Sequence, residues 1–288
     1  AQRYGMVLAG HGTAWLPREF VNKSRSSISA FSTSSSVWSP APGAEVTRAY
    51  GEKDNVHFDI PELAAAIEQL DVELDYILFD ACFMSNIESI YDLRNSANYI
   101  IASPCEIMGR GFPYERTLPH LFEDNGMSTN YTQAAESYYK FYRDEYSNQA
   151  RSGSIAVINC NEVDALADAT KSVLQSMTTV FYDRDELQTY EGQDKHYFFD
   201  FGEWINVVAT DNSALDAFNA QLAKTVIAKY SLDTFYTAYG SYGTHAIDLD
   251  VYSGITTSAP SEADIHSYMF DTNWCKYVWT EKAKEIAE

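Results

Sequence analysis

The stretch Leu74–Ser89, LDYILFDACFMSNIES, decides the fold. Its first half, YILFDAC, is an apolar run of the length of a strand buried on both faces. The residues that follow, NIESIYDLRNSA, carry the spacing of an amphipathic helix. Upstream, YGMVLAGHG reads as a short buried strand that opens into a glycine-bounded loop. Between the two strands lies FDIPELAAAIEQL, where Pro61 suits a first helical turn and Leu63, Ala66, Ile67 and Leu70 are expected on one face. Downstream, NYIIASPCEI is a third strand and GRGFPYERTLPHLF a loop entering a short helix. Strand and helix alternating in this way predict an α/β fold with a mostly parallel sheet flanked by helices.

The pattern continues through a helix at YTQAAESYYKFYRDEY and a strand at GSIAVINC, after which helix dominates. Residues 1–160 are therefore expected to form an α/β core and residues 161–288 a mainly helical C-terminal portion packed on it. The first strand begins within a few residues of Ala1. It is either an edge strand or the neighbour of strands that precede Ala1, and the second reading is preferred.

The formal charge of −21, with no basic stripe to offset it, argues against nucleic acid as a partner. An acidic surface is compatible with cationic substrates as well as with plain solubility. The four cysteines, Cys82, Cys105, Cys160 and Cys275, show neither a CxxC pair nor zinc spacing, and they leave the redox compartment undecided. No apolar run approaches the roughly 18 residues of a membrane span. No signal peptide is visible, although a processed chain would have lost one. Asn22–Asp54 is polar and crowded with serine between Ser24 and Ser39, and it reads as a mobile surface loop.

In open α/β sheets function collects at the carboxyl ends of the strands. Two strands here end in reactive residues, His11 after MVLAG and Cys82 after YILFDA. A thiol needs help to attack a carbonyl, because the thiolate is the nucleophile. An adjacent imidazole supplies that help by taking the thiol proton or protonating a leaving amine. The N–H groups of Gly12 and Cys82 are placed to face a developing oxyanion. Position alone leaves Cys82 between a nucleophile and a packing residue, and His11 between a base and an ordinary loop residue. Cys105 is read as packing, and His196 and His245 as structural.

The AGHG and FDACFM blocks together resemble the clostripain family of cysteine peptidases, within the caspase-like clan. HGTAWLP, IPELAAAI, DACFMSNIE and IASPCEIMGRGFPY stand in that family's order, and YFFDFGEWI is similar to a later block. The resemblance implies a caspase-like fold, with Cys82 as nucleophile, His11 as its partner and Gly12 and Cys82 as oxyanion donors. It makes Asp80 the residue that selects Arg or Lys before the cut bond. Without it, Asp80 reads as a helix cap or an acceptor of loop amides. The family often carries a second acid in the glycine-rich loop where this chain has Arg110. If Arg110 reaches Asp80, it weakens selection for a basic residue and favours an acidic or neutral one.

Self-cleavage at a basic residue is a further implication, with Lys23, Arg25, Arg48 and Lys53 as candidates. A separate N-terminal chain or segment is expected to complete the sheet, and a peptide or protein is the expected substrate. The enzyme would then be secreted, periplasmic or at the cell surface of a bacterium. No cofactor is called for. Calcium is the one ion the resemblance leaves open, but the acidic clusters DRDE and DLD lack the spacing of a calcium loop. The rival reading is a non-catalytic relative that binds peptides on the same fold.

Overall fold

The computed structural model describes residues 3–18, 44–48, 58–123, 127–146, 151–178, 183–193, 195–239, 246–260, 268–281 and 285. Its frame is a five-stranded sheet in the order β1-β2-β3-β4-β6, formed by Gly5–Ala9 (β1), Tyr76–Asp80 (β2), Tyr99–Ala102 (β3), Ile155–Asn159 (β4) and Val226–Tyr230 (β6). Helices α1 (Ile60–Ile67) and α2 (Ile87–Leu93) connect the first three strands, which run parallel. Every residue of β2 is buried, as its unbroken apolar run requires of a strand covered on both faces. β1 alternates exposed and half-buried residues at the sheet's edge.

The sheet is mixed, because β4 runs antiparallel to β3 and β6 antiparallel to β4. The connection explains the reversal. Two helices, α3 (Tyr114–Phe122) and α4 (Met127–Glu145), follow β3, and a pair of helices returns the chain to the end from which it left. One crossover helix gives a parallel neighbour, whereas two give an antiparallel one. In α1 the buried face is Ile60, Ala64 and Ile67, with Leu63 half-buried and Ala66 and Leu70 exposed. The helix ends at Ile67, so Leu70 lies beyond its last turn.

Beyond residue 160 come helices α5 (Val163–Ser176), α6 (Phe201–Val208), α7 (Asn212–Thr225) and α8 (Asn273–Val278). The same portion holds β6, the pair formed by Phe199–Asp200 (β5) with Thr256–Thr257 (β9), and the pair formed by Thr234–Tyr236 (β7) with Ala246–Asp248 (β8). Because β6 completes the main sheet, the sheet crosses the expected division at residue 160. A buried carboxylate fastens the two parts together. Glu88, in α2, accepts hydrogen bonds from Asn86 Nδ2 at 2.7 Å, Ser258 N at 2.8 Å and Thr257 Oγ1 at 3.0 Å. Burial raises its pKa and these donors oppose the rise. Among the described residues no helix is long and apolar enough to cross a membrane.

Candidate active site

The parallel register of β1 and β2 sets Ala9 beside Asp80, so the turns after both strands emerge at one rim. Gly10 N–H donates to the Asp80 carbonyl at 3.2 Å, extending the pairing toward His11. Gly12 then lies against Cys82, and a Cβ there would stand 2.3 Å from Cys82 O and 3.1 Å from Cys82 N. Only glycine permits that approach. After Cys82 the chain turns sharply through Phe83, whose φ of 63° is left-handed. The Phe83 ring is stacked on Phe198 at 4.6 Å. Asn86 then caps α2, its Oδ1 accepting from Ser89 N–H at 3.1 Å.

His11 is exposed and its Nδ1 lies 3.0 Å from the carbonyl oxygen of Arg48. The Cys82 thiol is buried against the Ile107 peptide, whose N–H reaches Sγ at 3.0 Å. Burial pushes the thiol well above its ordinary pKa, and the Glu106 carboxylate adds to the rise. The Ile107 N–H and the Arg48 guanidinium oppose it. Cys105 is also a buried free thiol, raised by burial, and it sits beneath the loop. A cavity of about 290 Å³ opens beside His11, lined by Leu8, Phe58, Leu63, Phe79 and Met84 among others.

Asp80 is fully buried at the end of β2. Its Oδ2 accepts from Tyr114 Oη at 2.6 Å and from Phe112 N–H at 3.4 Å. Burial, then the Asp80 carboxylate, raises the Tyr114 phenol. The Arg48 guanidinium lies against this carboxylate, with Nε at 3.3 Å from Asp80 Oδ1 and Nη1 at 3.5 Å from the Asp80 carbonyl. Gly111 makes room for it. Its φ is +69°, and a Cβ would lie 2.4 Å from Arg48 Nη2 and 2.6 Å from Asp80 Oδ2. Arg110, which would weaken basic selection if it reached Asp80, has its guanidinium over the Phe141 ring at 5.2 Å from its centroid.

The backbone around Arg48 is held as an added strand. Arg48 N–H donates to Ile107 O at 2.7 Å, Gly109 N–H donates to Val46 O at 2.6 Å, and Thr47 bridges Met108 antiparallel. Thr47 Oγ1 donates to Glu106 at 2.7 Å, and Tyr236 Oη accepts from Glu45 N–H at 2.6 Å. Composition predicted a surface loop from Asn22 to Asp54. Of that span only residues 44–48 are described, and they lie in this cleft. Lys23, Arg25 and Lys53 fall outside the described residues, as does His245.

Sequence reasoning passed over Tyr114 and Glu106. Tyr114 stood in the loop motif GFPYER, and Glu106 was a lone charge inside the apolar SPCEI. His196 is held by the buried Glu191, 2.8 Å from Nδ1, and Glu191 also accepts from Tyr197 N–H at 2.7 Å. Among the described residues no three His, Cys, Asp or Glu side chains gather to hold a metal ion.

Comparison with known families matches residues 1–286 to the profile described as the clostripain family. No curated protein matches the chain. Among solved structures, iotapain, a secreted C11 cysteine protease from Bacteroides thetaiotaomicron, is 30% identical with a TM-score of 0.76, over 96% of this chain and 72% of its own. A clostripain from the same organism, in complex with the peptide inhibitor BTN-VLTK-AOMK, is 31% identical with a TM-score of 0.69, over 79% of this chain and 97% of its own. An inactive zymogen of a C11 protease from Parabacteroides distasonis is 28% identical with a TM-score of 0.75, over 97% of this chain and 71% of its own.

Proposed function

The chain belongs to the clostripain family and is a cysteine peptidase, and from that premise we propose that it cuts peptide bonds after Arg or Lys and matures by cutting itself after Arg48. Cys82 is the nucleophile and His11 its acid–base partner. The imidazole takes the thiol proton as sulfur attacks the carbonyl carbon. It returns that proton to the amine that leaves, and a water then hydrolyses the thioester. Gly12 and Cys82 N–H groups stabilise the oxyanion. Asp80 receives the P1 guanidinium or ammonium.

One observation carries the reading: a single residue, Arg48, puts its guanidinium on Asp80 and its carbonyl oxygen 3.0 Å from His11 Nδ1. That is how the P1 residue of a substrate would lie, and the strand pairing of Val46–Arg48 with Ile107–Gly109 is how a peptide would be held. The covered thiol, raised by burial, suits a chain at rest before the cut. Three relatives support the details. The peptide part of the inhibitor held by the B. thetaiotaomicron clostripain, VLTK, ends in Thr-Lys, and this chain offers Thr47-Arg48. A zymogen among the relatives supports maturation, and the secreted one supports a place outside the cytoplasm, as a secreted, periplasmic or cell-surface enzyme. The half-exposed edge of β1 suits pairing with a further strand, from a separate N-terminal segment.

The test is to express the whole chain beside its Cys82→Ala variant and read the termini by mass spectrometry. The wild type is expected to yield fragments that meet at Arg48 and Ala49, and the variant to stay whole. A cut in the variant would remove Cys82 from the role of nucleophile. A wild-type cut only after Lys23, Arg25 or Lys53 would move the processing site elsewhere.

A further inference from the structure

Glu106 has no part in the chemistry above, yet it is a carboxylate with 1% exposure, immediately beneath the segment that fills the cleft. Its Oε1 accepts from Thr237 Oγ1 at 2.5 Å, and both of its oxygens accept from Ala238 N–H, at 3.2 and 3.1 Å. These donors come from one loop of the C-terminal portion and hold the carboxylate in place. The last donor, Thr47 Oγ1 at 2.7 Å from Oε2, belongs to the cleft-filling segment itself. Thr47 is sealed at 6% exposure, whereas its neighbour Val46 is 75% exposed. Thr47 is thus gripped by its side chain, whereas Val46 is held by its backbone alone.

We propose that Glu106 is a specificity-determining residue of this peptidase, accepting a hydrogen bond from a Thr or Ser hydroxyl at P2, the position before the basic residue. The inference rests on reading Val46–Arg48 as lying where a substrate lies. A buried carboxylate deprived of a donor loses that hydrogen bond without gaining water in its place. The isosteric Val, which fits the space but donates nothing, is therefore penalised, and an acidic P2 side chain meets like charge as well. Specificity of this kind comes from leaving the site's own polar group unpaired by the wrong substrate, in addition to rewarding the right one.

The test uses peptides with Arg at P1 and a common fluorogenic leaving group, differing only at P2 as Thr, Ser, Val or Asp. On the processed wild type, Thr and Ser are expected to exceed Val in kcat/KM by about ten- to a hundredfold, the scale of a lost hydrogen bond to a buried charged group. In Glu106→Ala the Thr-to-Val ratio is expected to collapse to about one, with the preference for Arg over Ala at P1 retained. Within the chain, Thr47→Val is expected to slow self-cleavage by the same factor as the Val peptide, and Thr47→Ser to leave it near the wild-type rate.

Equal rates on the Thr and Val peptides in the wild type would overturn the proposal, whether or not the Glu106→Ala variant folds. Survival of the ratio in a folded Glu106→Ala would overturn it too. If instead no preference for a basic P1 residue exists, the placement of Val46–Arg48 as a substrate fails. The P1 and P2 panels thus separate the two failures.

Discussion

Asp80 and Glu106 are both sealed from solvent beneath the same short segment, yet one faces a guanidinium and the other faces hydroxyl and amide donors. Asp80 has fixed donors in Tyr114 Oη and Phe112 N–H, both on Oδ2, while among the described residues Oδ1 is met by the Arg48 guanidinium. Glu106 is already held by Thr237 and Ala238 and receives just one further donor from the cleft. Burial without a cation drives Glu106 up to about 7, opposed by its donors and assisted by Glu191. Asp80 leaves one oxygen to a cation, whereas Glu106, already held by fixed donors, is completed by a single hydroxyl. The two neighbours are therefore expected to read successive substrate residues with very different force.

The largest expected effect is at Asp80. Replacing it in Asp80→Asn should lower kcat/KM for a P1 Arg peptide by about two to three orders of magnitude, the scale of truncating one partner of a buried charge pair. A P1 norleucine peptide should be cut at close to its wild-type rate, and self-cleavage after Arg48 should slow with the Arg peptide. An equal loss on both peptides would make Asp80 a structural acceptor of loop amides with no part in reading P1.

Tyr114 should have a smaller effect. Its hydroxyl fixes Asp80 Oδ2 at 2.6 Å without touching the substrate's charge. Tyr114→Phe should weaken P1 Arg peptides about tenfold, as expected for one hydrogen bond to a charged group. The loss should appear in KM, because a misaligned pocket floor weakens ground state and transition state alike. A loss confined to kcat would place Tyr114 with the reacting atoms and not with the pocket.

How far these features could be read in the sequence depends on the range of the interactions that make them. β2, with Asp80 and Cys82 at its end, was legible because the consecutive buried residues Tyr76–Phe79 leave an unbroken apolar run. His11 was placed at a strand end by its glycine neighbours, and only the family resemblance gave it a role. The reversal at β4 was missed, although both helices before it are legible, because alternation of strand and helix implies a parallel neighbour throughout. Arg48 stood among four basic candidates in a serine-rich stretch that composition assigns to solvent. What sets it apart is the pairing of its N–H with Ile107 O and of Val46 O with Gly109 N–H, residues near this segment only after the sheet forms. Glu106 gives the sharpest case. Its donor Thr237 lies 131 residues away, so local pattern shows an isolated charge in an apolar run and nothing of what holds it.

The smallest expected effect falls on Arg110, the residue whose position in the loop made it a rival for Asp80. Gly111, with its left-handed φ of +69°, redirects the chain between Arg110 and Phe112. Phe112 N–H reaches Asp80, while the Arg110 guanidinium lies over Phe141, a ring it shares with Arg116 at 5.5 Å. An exposed cation–π contact of this kind is worth about 0.5–1 kcal/mol, a matter of stability and not of selection. Arg110→Ala should therefore change the ratio of Arg to Glu cleavage at P1 by less than about twofold while lowering the melting temperature by a few degrees or less. A tenfold gain in preference for Arg would instead show that the Arg110 charge is felt at Asp80. The pocket would then be a balance of two charges, and its contrast with Glu106 would narrow accordingly.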